Sequence, residues 1–301
     1  MTDFGQQRRF PSPLRYPGGK GKVANFIKVL LLENNLVGRD YVEPYAGGAA
    51  VALSLLYEDF ADHVYINDVD PSVHAFWSAA LLNTEQLCRR INDTDVTMEE
   101  WHRQRSVQAA DDPDLLDLAF STFFMNRTNR SGIITGGVIG GRDQTGKWKL
   151  DARYNKADLI RRILKVGRYR SRIHVSGEDA LTFLEPWRTP SSEAFVYLDP
   201  PYYVKGGDLY RNSYGPDDHA KVALTVAALG VPWIVSYDAA PPILNLYQEG
   251  VRIRYSLAYS AATRGRGSEV MFFSEDLTVP DVASPAGVSF ATVDSRVSEA
   301  G

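Results

Sequence analysis

Ala194-Phe195-Val196-Tyr197-Leu198-Asp199-Pro200-Pro201-Tyr202 decides how this chain is read. Its first five residues are an apolar run of strand length stopped by turn residues. Such a run reads as the core strand of a parallel sheet. Open α/β sheets bind ligands just beyond the carboxyl ends of their strands. Residues 199–202 therefore stand where chemistry is done. Asp199 offers a carboxylate. Pro200 and Pro201 fix φ and lack backbone donors, so their carbonyls are rigid acceptors. Tyr202 offers a flat face with a polar tip. Several acceptors beside a stacking face suit a planar group with an exocyclic amine, and a nucleobase is such a group.

Upstream lie the parts of a nucleotide-binding unit. Tyr41 and Val42 read as a short strand, Pro44 to Gly48 as a small-residue loop, and Ala49 to Tyr57 as a helix. Small residues in such a loop let the backbone approach a ligand. The Gly-x-Gly-x-x-Gly spacing is absent, which disfavours a nicotinamide cofactor. His63 to Asp68 reads as a second strand, with Asp68 21 residues after Gly47. That spacing sets a carboxylate at the next strand tip, where it can accept ribose hydroxyls; the rival role is a turn or helix cap before Pro71. Ahead of both units, Pro17-Gly18-Gly19 demands a tight turn, and Lys20 opens an amphipathic run from Val23 to Leu32. Backbone amides and a lysine at a helix start favour an anion such as a carboxylate, or the turn simply caps the helix. A phosphate loop is excluded by the spacing. Arg172 to Val175 reads as a further strand. Asp179 at its exit is either an acceptor for a purine amine or the N-cap of the next helix.

Composition is that of an ordinary globular protein: 301 residues, 44% hydrophobic and 23% charged. Cys88 is the single cysteine and the five histidines stand apart. We therefore expect no intrachain disulfide, no metal site and a reducing compartment. No apolar run has the length to span a bilayer, and Met1 to Arg9 lacks an apolar signal core, so a cytoplasmic protein is expected. The net charge of −4 conceals a local excess, because Phe120 to Val175 holds 13 Lys/Arg against three acids. That segment suits phosphate contacts, with a solvated face as the rival reading. Pro71 to about Leu118 reads as largely helical, its aromatics at core spacing. From Phe123 the texture changes. Asn126 to Gly132, the glycine-rich stretch 136–146, Lys147-Trp148-Lys149 and Arg153 to Lys156 read as a mobile or hairpin loop carrying donors. Arg reads guanine and Asn adenine by bidentate contacts. Leu159 to Val166 follows as a basic helix. Tyr203 to Gly215 reads as a lid, His219 to Leu229 as a helix and Trp233 to Ser236 as a strand. Tyr255 to Tyr259 and Val270 to Phe273 read as a hairpin around Arg264-Gly265-Arg266-Gly267, and the chain from Pro280 as a disordered tail.

Asp-Pro-Pro-Tyr at 199–202 resembles the amine-methylating motif of S-adenosylmethionine (SAM)-dependent DNA methyltransferases, specifically the Dam-like, alpha-group N6-adenine family. The Pro13–Lys20 segment and the Glu43–Ala50 loop also match that family's motifs, in its order, so the resemblance covers about Pro13 to Phe273. Ala49 stands where the family usually has a third glycine, and a methyl group at a helix start is expected to be tolerated. The resemblance implies an α/β fold: a Rossmann-like SAM-dependent methyltransferase sheet with an inserted, mostly helical target-recognition domain. The catalytic part would comprise 1–82 and 171–279, the DNA-binding insert 83–170, and the tail 280–301. SAM would be the cofactor, without a metal, held by Tyr16, Lys20, Glu43, Pro44, Gly47, Asp68, Asp179 and Asp199. Asp199, Pro200, Pro201 and Tyr202 would be catalytic, with Tyr202 stacking on a flipped base. Double-stranded DNA would be the partner, contacted by Arg127, Asn129, Arg130, Lys147, Arg153 and Asn155, and a cognate restriction endonuclease is compatible with such a protein. Arg127, Asn129 and Gly132 echo the start of the family's recognition region, but its Phe-Asn-Val-Pro continuation is replaced by Ile133-Ile134-Thr135-Gly136-Gly137. Two other readings stay open: a methyltransferase acting on cytosine N4, RNA adenine or a protein amide, and a catalytically silent DNA-binding relative. Aspartate at the motif's first position favours adenine.

Overall fold

A computed structural model of the protein describes residues 11–16, 20–190, 193–204, 214–248, 250–258 and 266–300. Strand β4, Ala194–Leu198, is buried along its whole length. Strands β1 (Asp40–Glu43), β2 (Val64–Asn67), β3 (Ile173–Ser176) and β5 (Trp233–Asp238) extend the sheet as parallel partners. Strands β6 (Arg252–Ala258) and β7 (Arg266–Phe273) pair with each other and close the β5 edge antiparallel. The spatial order is β3-β2-β1-β4-β5-β7-β6. The order reverses between β1 and β4, and the crevice beyond the carboxyl ends of those two strands is where such sheets hold ligands. Glu43 ends β1, and Asp199 follows directly on β4.

Successive side chains of a strand leave on opposite faces. Tyr41, Phe195, Tyr197, Ile234, Met271 and Phe273 join one core, which includes helices α1 (Ala24–Glu33) and α2 (Ala50–Tyr57). Between β2 and β3 the chain adds α3 (Pro71–Leu82), α4 (Thr84–Asp93), α5 (Met98–Gln108), α6 (Leu115–Thr128) and α7 (Lys156–Arg168). Asp70, Thr97, Asp114 and Asn155 begin α3, α5, α6 and α7 by accepting a bond from a first-turn N–H, each worth about 1 kcal/mol. Helix α6 is buried on every side from Ala119 to Thr128, and Phe123 stacks on Phe76 of α3. The aromatics here are core, as their spacing predicts. On the other sheet face Val42, Val196, Leu198, Val235 and Phe272 pack with helices α8 (Ala180–Leu184), α9 (Pro216–Ala227) and α10 (Pro241–Leu246).

Three expectations change. The tail expected to be disordered carries helix α11, Phe290–Ala300. Val293 of that helix is buried, Arg296 pairs with Glu33 of α1, and Phe290 covers the Lys28 ammonium. These anchors are single residues among Ala, Ser and Thr, too sparse to register as a periodic apolar face. The glycine-rich stretch is not a two-stranded hairpin. One bridge joins Asn129 to Val138, and the turns after it are clasped by the Gln144 side chain, which bonds Ile139 O, Gly141 O and Leu150 N. Ala49 has φ 44°, in the left-handed region, so its methyl group carries a cost of about 1–2 kcal/mol that the sequence did not reveal. The Pro17–Gly19 turn, positions 205–213 of the lid and 259–265 of the hairpin loop lie outside the described residues.

Candidate active site

The loop after β1 is tied to the tips of β2 and β3. Gly47 N donates to Asp68 Oδ2 at 2.9 Å, and Asp70 N to Asp68 Oδ1 at 3.0 Å. Trp77 Nε1 donates to Gly47 O at 2.9 Å. Asn67, 1% exposed, donates to Pro44 O at 3.1 Å and Glu178 O at 3.0 Å, and accepts from Glu178 N at 2.9 Å. One amide thus locks three strand exits together. Gly47 has φ 45°, and a Cβ there would lie 2.7 Å from the Tyr16 ring, so only glycine fits under that ring. Tyr16, Pro44, Gly47 and Asp68 therefore stand together around one cradle at the end of β1.

Acids dominate its electrostatics. Burial pushes the Glu43 carboxyl up to about 8, against the pull of the Ala52 N–H that its Oε2 accepts at 3.2 Å. Burial likewise lifts Asp68 to about 7, although the Asp70 and Gly47 amides favour its charge. Asp199 is raised by burial, with Lys20 acting in the opposite sense. Burial alone would lower Lys20, but Asp199 and Glu269 hold its pKa well above the ordinary lysine value.

Lys20, expected to contact the cofactor, bonds the Asp-Pro-Pro-Tyr motif: Asp199 Oδ1 stands 2.7 Å from its ammonium and the Tyr202 hydroxyl 2.9 Å. The reason is that the helical turn Lys20–Val23 sits over the sheet face that the β4 tip borders, so its first side chain reaches Asp199. Tyr202 also differs. Its ring is 4% exposed and lies against the same ammonium, 4.9 Å from the centroid, rather than presenting an open face. The turn behind the motif is held from β5, where Asp238 accepts from Tyr203 N at 2.9 Å and Val204 N at 3.1 Å. Tyr214, beyond that turn, donates to Tyr45 of the β1 loop at 3.3 Å. Asp179 is exposed and caps α8 by accepting from Leu181 N at 3.0 Å.

The residues expected to touch DNA divide in two. Arg127 and Asn129 are buried and structural. Arg127 donates to Pro13 O, while Asn129 holds Ile133 O and Ile134 O and accepts from Trp101 Nε1 at 2.8 Å. Neither can meet a base, because α6 is enclosed where it carries them. Asn155 is exposed but its carbonyl caps α7. Arg130, Lys147 and Arg153 are exposed. The sequence reading missed Arg105 and Arg142, which line one cleft of about 150 Å³ with Arg130, floored by Trp101 and Val138. Among the described residues none of the three is ion-paired, whereas Arg90, Arg103, Arg161, Arg162 and Arg172 are. It also missed Asn67, Asp238 and Glu269, whose partners are remote in sequence.

A parallel sheet with one reversed hairpin, a glycine cradle at the β1 tip and an Asp-Pro-Pro-Tyr turn at the β4 tip together define a Rossmann-like methyltransferase fold. The family model for D12 class N6 adenine-specific DNA methyltransferase matches residues 16–264, and the chain belongs to that family. Among curated proteins no match is found. Among the described residues no group of three or more His, Cys, Asp or Glu is arranged to hold a metal ion. No helix there is long and apolar enough to cross a membrane.

Proposed function

We propose that this enzyme moves a methyl group from SAM to the N6 amine of an adenine flipped out of duplex DNA. The observation that carries the proposal is the state of Asp199. One carboxylate oxygen is held by the Lys20 ammonium at the switch point of the sheet, one strand from the Gly47–Asp68 cradle. The other oxygen is left to accept from an incoming amine.

The residues fit SAM. Gly47 is a left-handed glycine whose backbone admits close approach, and Asp68 offers a carboxylate at the neighbouring strand tip. Glu43 and Asp199 add carboxyl groups that a bound cation would draw toward their charged form, with Tyr16 over the loop. When bound, SAM supplies an electrophilic methyl carbon on a positively charged sulfur. The chain's task is to make the adenine nitrogen a nucleophile. That nitrogen is poor because its lone pair is delocalised into the ring. Asp199 and the Pro200 carbonyl, by each accepting one amine hydrogen, draw the nitrogen toward tetrahedral geometry and free the pair. Catalysis is then mainly positioning and preorganised electrostatics. The base must leave the helix to reach this depth, and Tyr202 must turn a face toward it.

DNA would lie along the insert at 83–170, with Arg105, Arg130 and Arg142 on one phosphate-sized cleft and Lys147 and Arg153 beside it. Expression of the chain in a methylation-free host, followed by mapping of modified bases, tests the reading. N6-methyladenine at one recurring sequence is expected, lost in Asp199→Ala while SAM still binds. Methylated cytosine, or near-wild-type turnover in Asp199→Ala, would refute it.

A further inference from the structure

Glu269 is the charge that the mechanism above leaves unused. It lies on β7, fully buried, with its Oε2 3.4 Å from the Lys20 ammonium. Packing does not call for a carboxylate there. The next residues on that face of β7 are Met271 and Phe273, both buried and apolar. Tyr255 stands opposite Glu269 on β6 and Asp238 on β5, and the Tyr202 hydroxyl and Lys20 ammonium approach the Glu269 carboxylate. One cation therefore stands between two acids in a nearly dry pocket, nearer to Asp199 than to Glu269.

The arrangement has a chemical consequence. A lysine paired with Asp199 alone would satisfy that carboxylate and weaken it as an acceptor. A second carboxylate on the far side of the ammonium offsets the effect and stops Lys20 from swinging out of register. We infer that Glu269 is a positioning residue for methyl transfer: it shares Lys20 with Asp199, fixing one Asp199 oxygen and keeping the other a strong acceptor for the adenine amine. The inference rests on the function proposed above.

Steady-state transfer of a labelled methyl group from SAM to unmethylated genomic DNA, by the full chain across pH, tests it. Glu269→Gln keeps the shape and removes the charge. We expect kcat to fall by about tenfold or more, with KM for SAM and for DNA changed by less than about twofold. Burial lifts the Glu269 carboxyl to about 7, with Lys20 opposing, so its ionisation should set the acid limb of kcat, and that limb should move to lower pH in Glu269→Gln. The titratable groups facing Asp199 are Lys20, Glu43, Glu269 and the phenols of Tyr41, Tyr197, Tyr202, Tyr237 and Tyr255. Burial raises the phenols Tyr41, Tyr197, Tyr237 and Tyr255, so they stay neutral here. A limb set by Glu43 would not respond to Glu269→Gln. Glu269→Asp should restore part of kcat. In a Lys20→Gln background Glu269→Gln should have little further effect, since it acts through the missing ammonium.

An unmoved acid limb, or an equal further loss in the Lys20→Gln background, would overturn the inference. If Glu269→Gln does not fold by far-UV circular dichroism, Glu269→Asp carries the test, with a smaller shift in the same direction expected and an unmoved limb again fatal. Wild-type chain that leaves DNA unmethylated would sink the functional reading along with this one. Active wild type with an unresponsive Glu269 would sink this one alone.

Discussion

At the scale of single residues, the cradle combines strain with suppressed charge. Ala49 sits in the left-handed region at the head of α2 with φ 44°. Glycine there relieves the steric cost, so Ala49→Gly should stabilise the protein by about 1 kcal/mol. Thermal melting reads this directly, and an unchanged or lower melting temperature would contradict it. The acids give a second expectation. Burial lifts Glu43 to about 8 and Asp68 to about 7, above their values in an unfolded chain. The folded state thus keeps protons that the unfolded chain releases. Their contribution to stability is complete below the ordinary carboxylate range and is lost as pH rises through those raised values. Wild type should lose stability relative to Glu43→Gln progressively between about pH 4 and pH 8 and level off above. Melting curves that diverge the other way would show that Glu43 is ionised in the free protein.

At the scale of elements, α6 shows why a motif can be found correctly and its role misjudged. Asn126, Arg127 and Asn129 have the side chains that read bases, and spacing alone cannot tell a donor aimed at DNA from one aimed at the chain's own carbonyls. Here every one is turned inward. Asn129→Ala should cost about 1–3 kcal/mol through the orphaned Trp101 Nε1 and the Ile133 and Ile134 carbonyls. It should leave the methylated sequence unchanged, which base mapping in the variant checks. The strands, by contrast, were legible because burial on both faces demands uninterrupted apolar runs. Residues 194–198 match β4 to the residue. The loop at 43–49 and the acid at 68 were legible as strand exits because each follows a short apolar strand. Lys20 was expected against the cofactor, and its bond to Asp199 was not foreseen. The 179 residues separating it from Asp199 leave no local trace, and the same holds for Glu269.

At the scale of the whole molecule, a chain of net charge −4 must still approach a polyanion. Many of its arginines pair with acids, whereas among the described residues Arg105, Arg130 and Arg142 make no ion pair and line one cleft, the surface proposed above for DNA. Glutamine at any one of the three should weaken duplex binding and reduce its log–log salt slope by about 1. The same change at Arg103, which pairs with Glu100, should leave the slope alone. Binding isotherms at several salt concentrations separate the two outcomes. Equal slopes throughout would move the DNA to another surface.

Asn126 of α6 grips the segment before Lys20, accepting from Arg15 N at 2.8 Å and donating to Arg15 O. Helix α6 is thereby fastened to the segment that precedes Lys20. A chimera that grafts a relative's helices 83–170 onto this sheet would inherit a mismatched buckle. Working hybrids should emerge only when residues 11–16 travel with the graft.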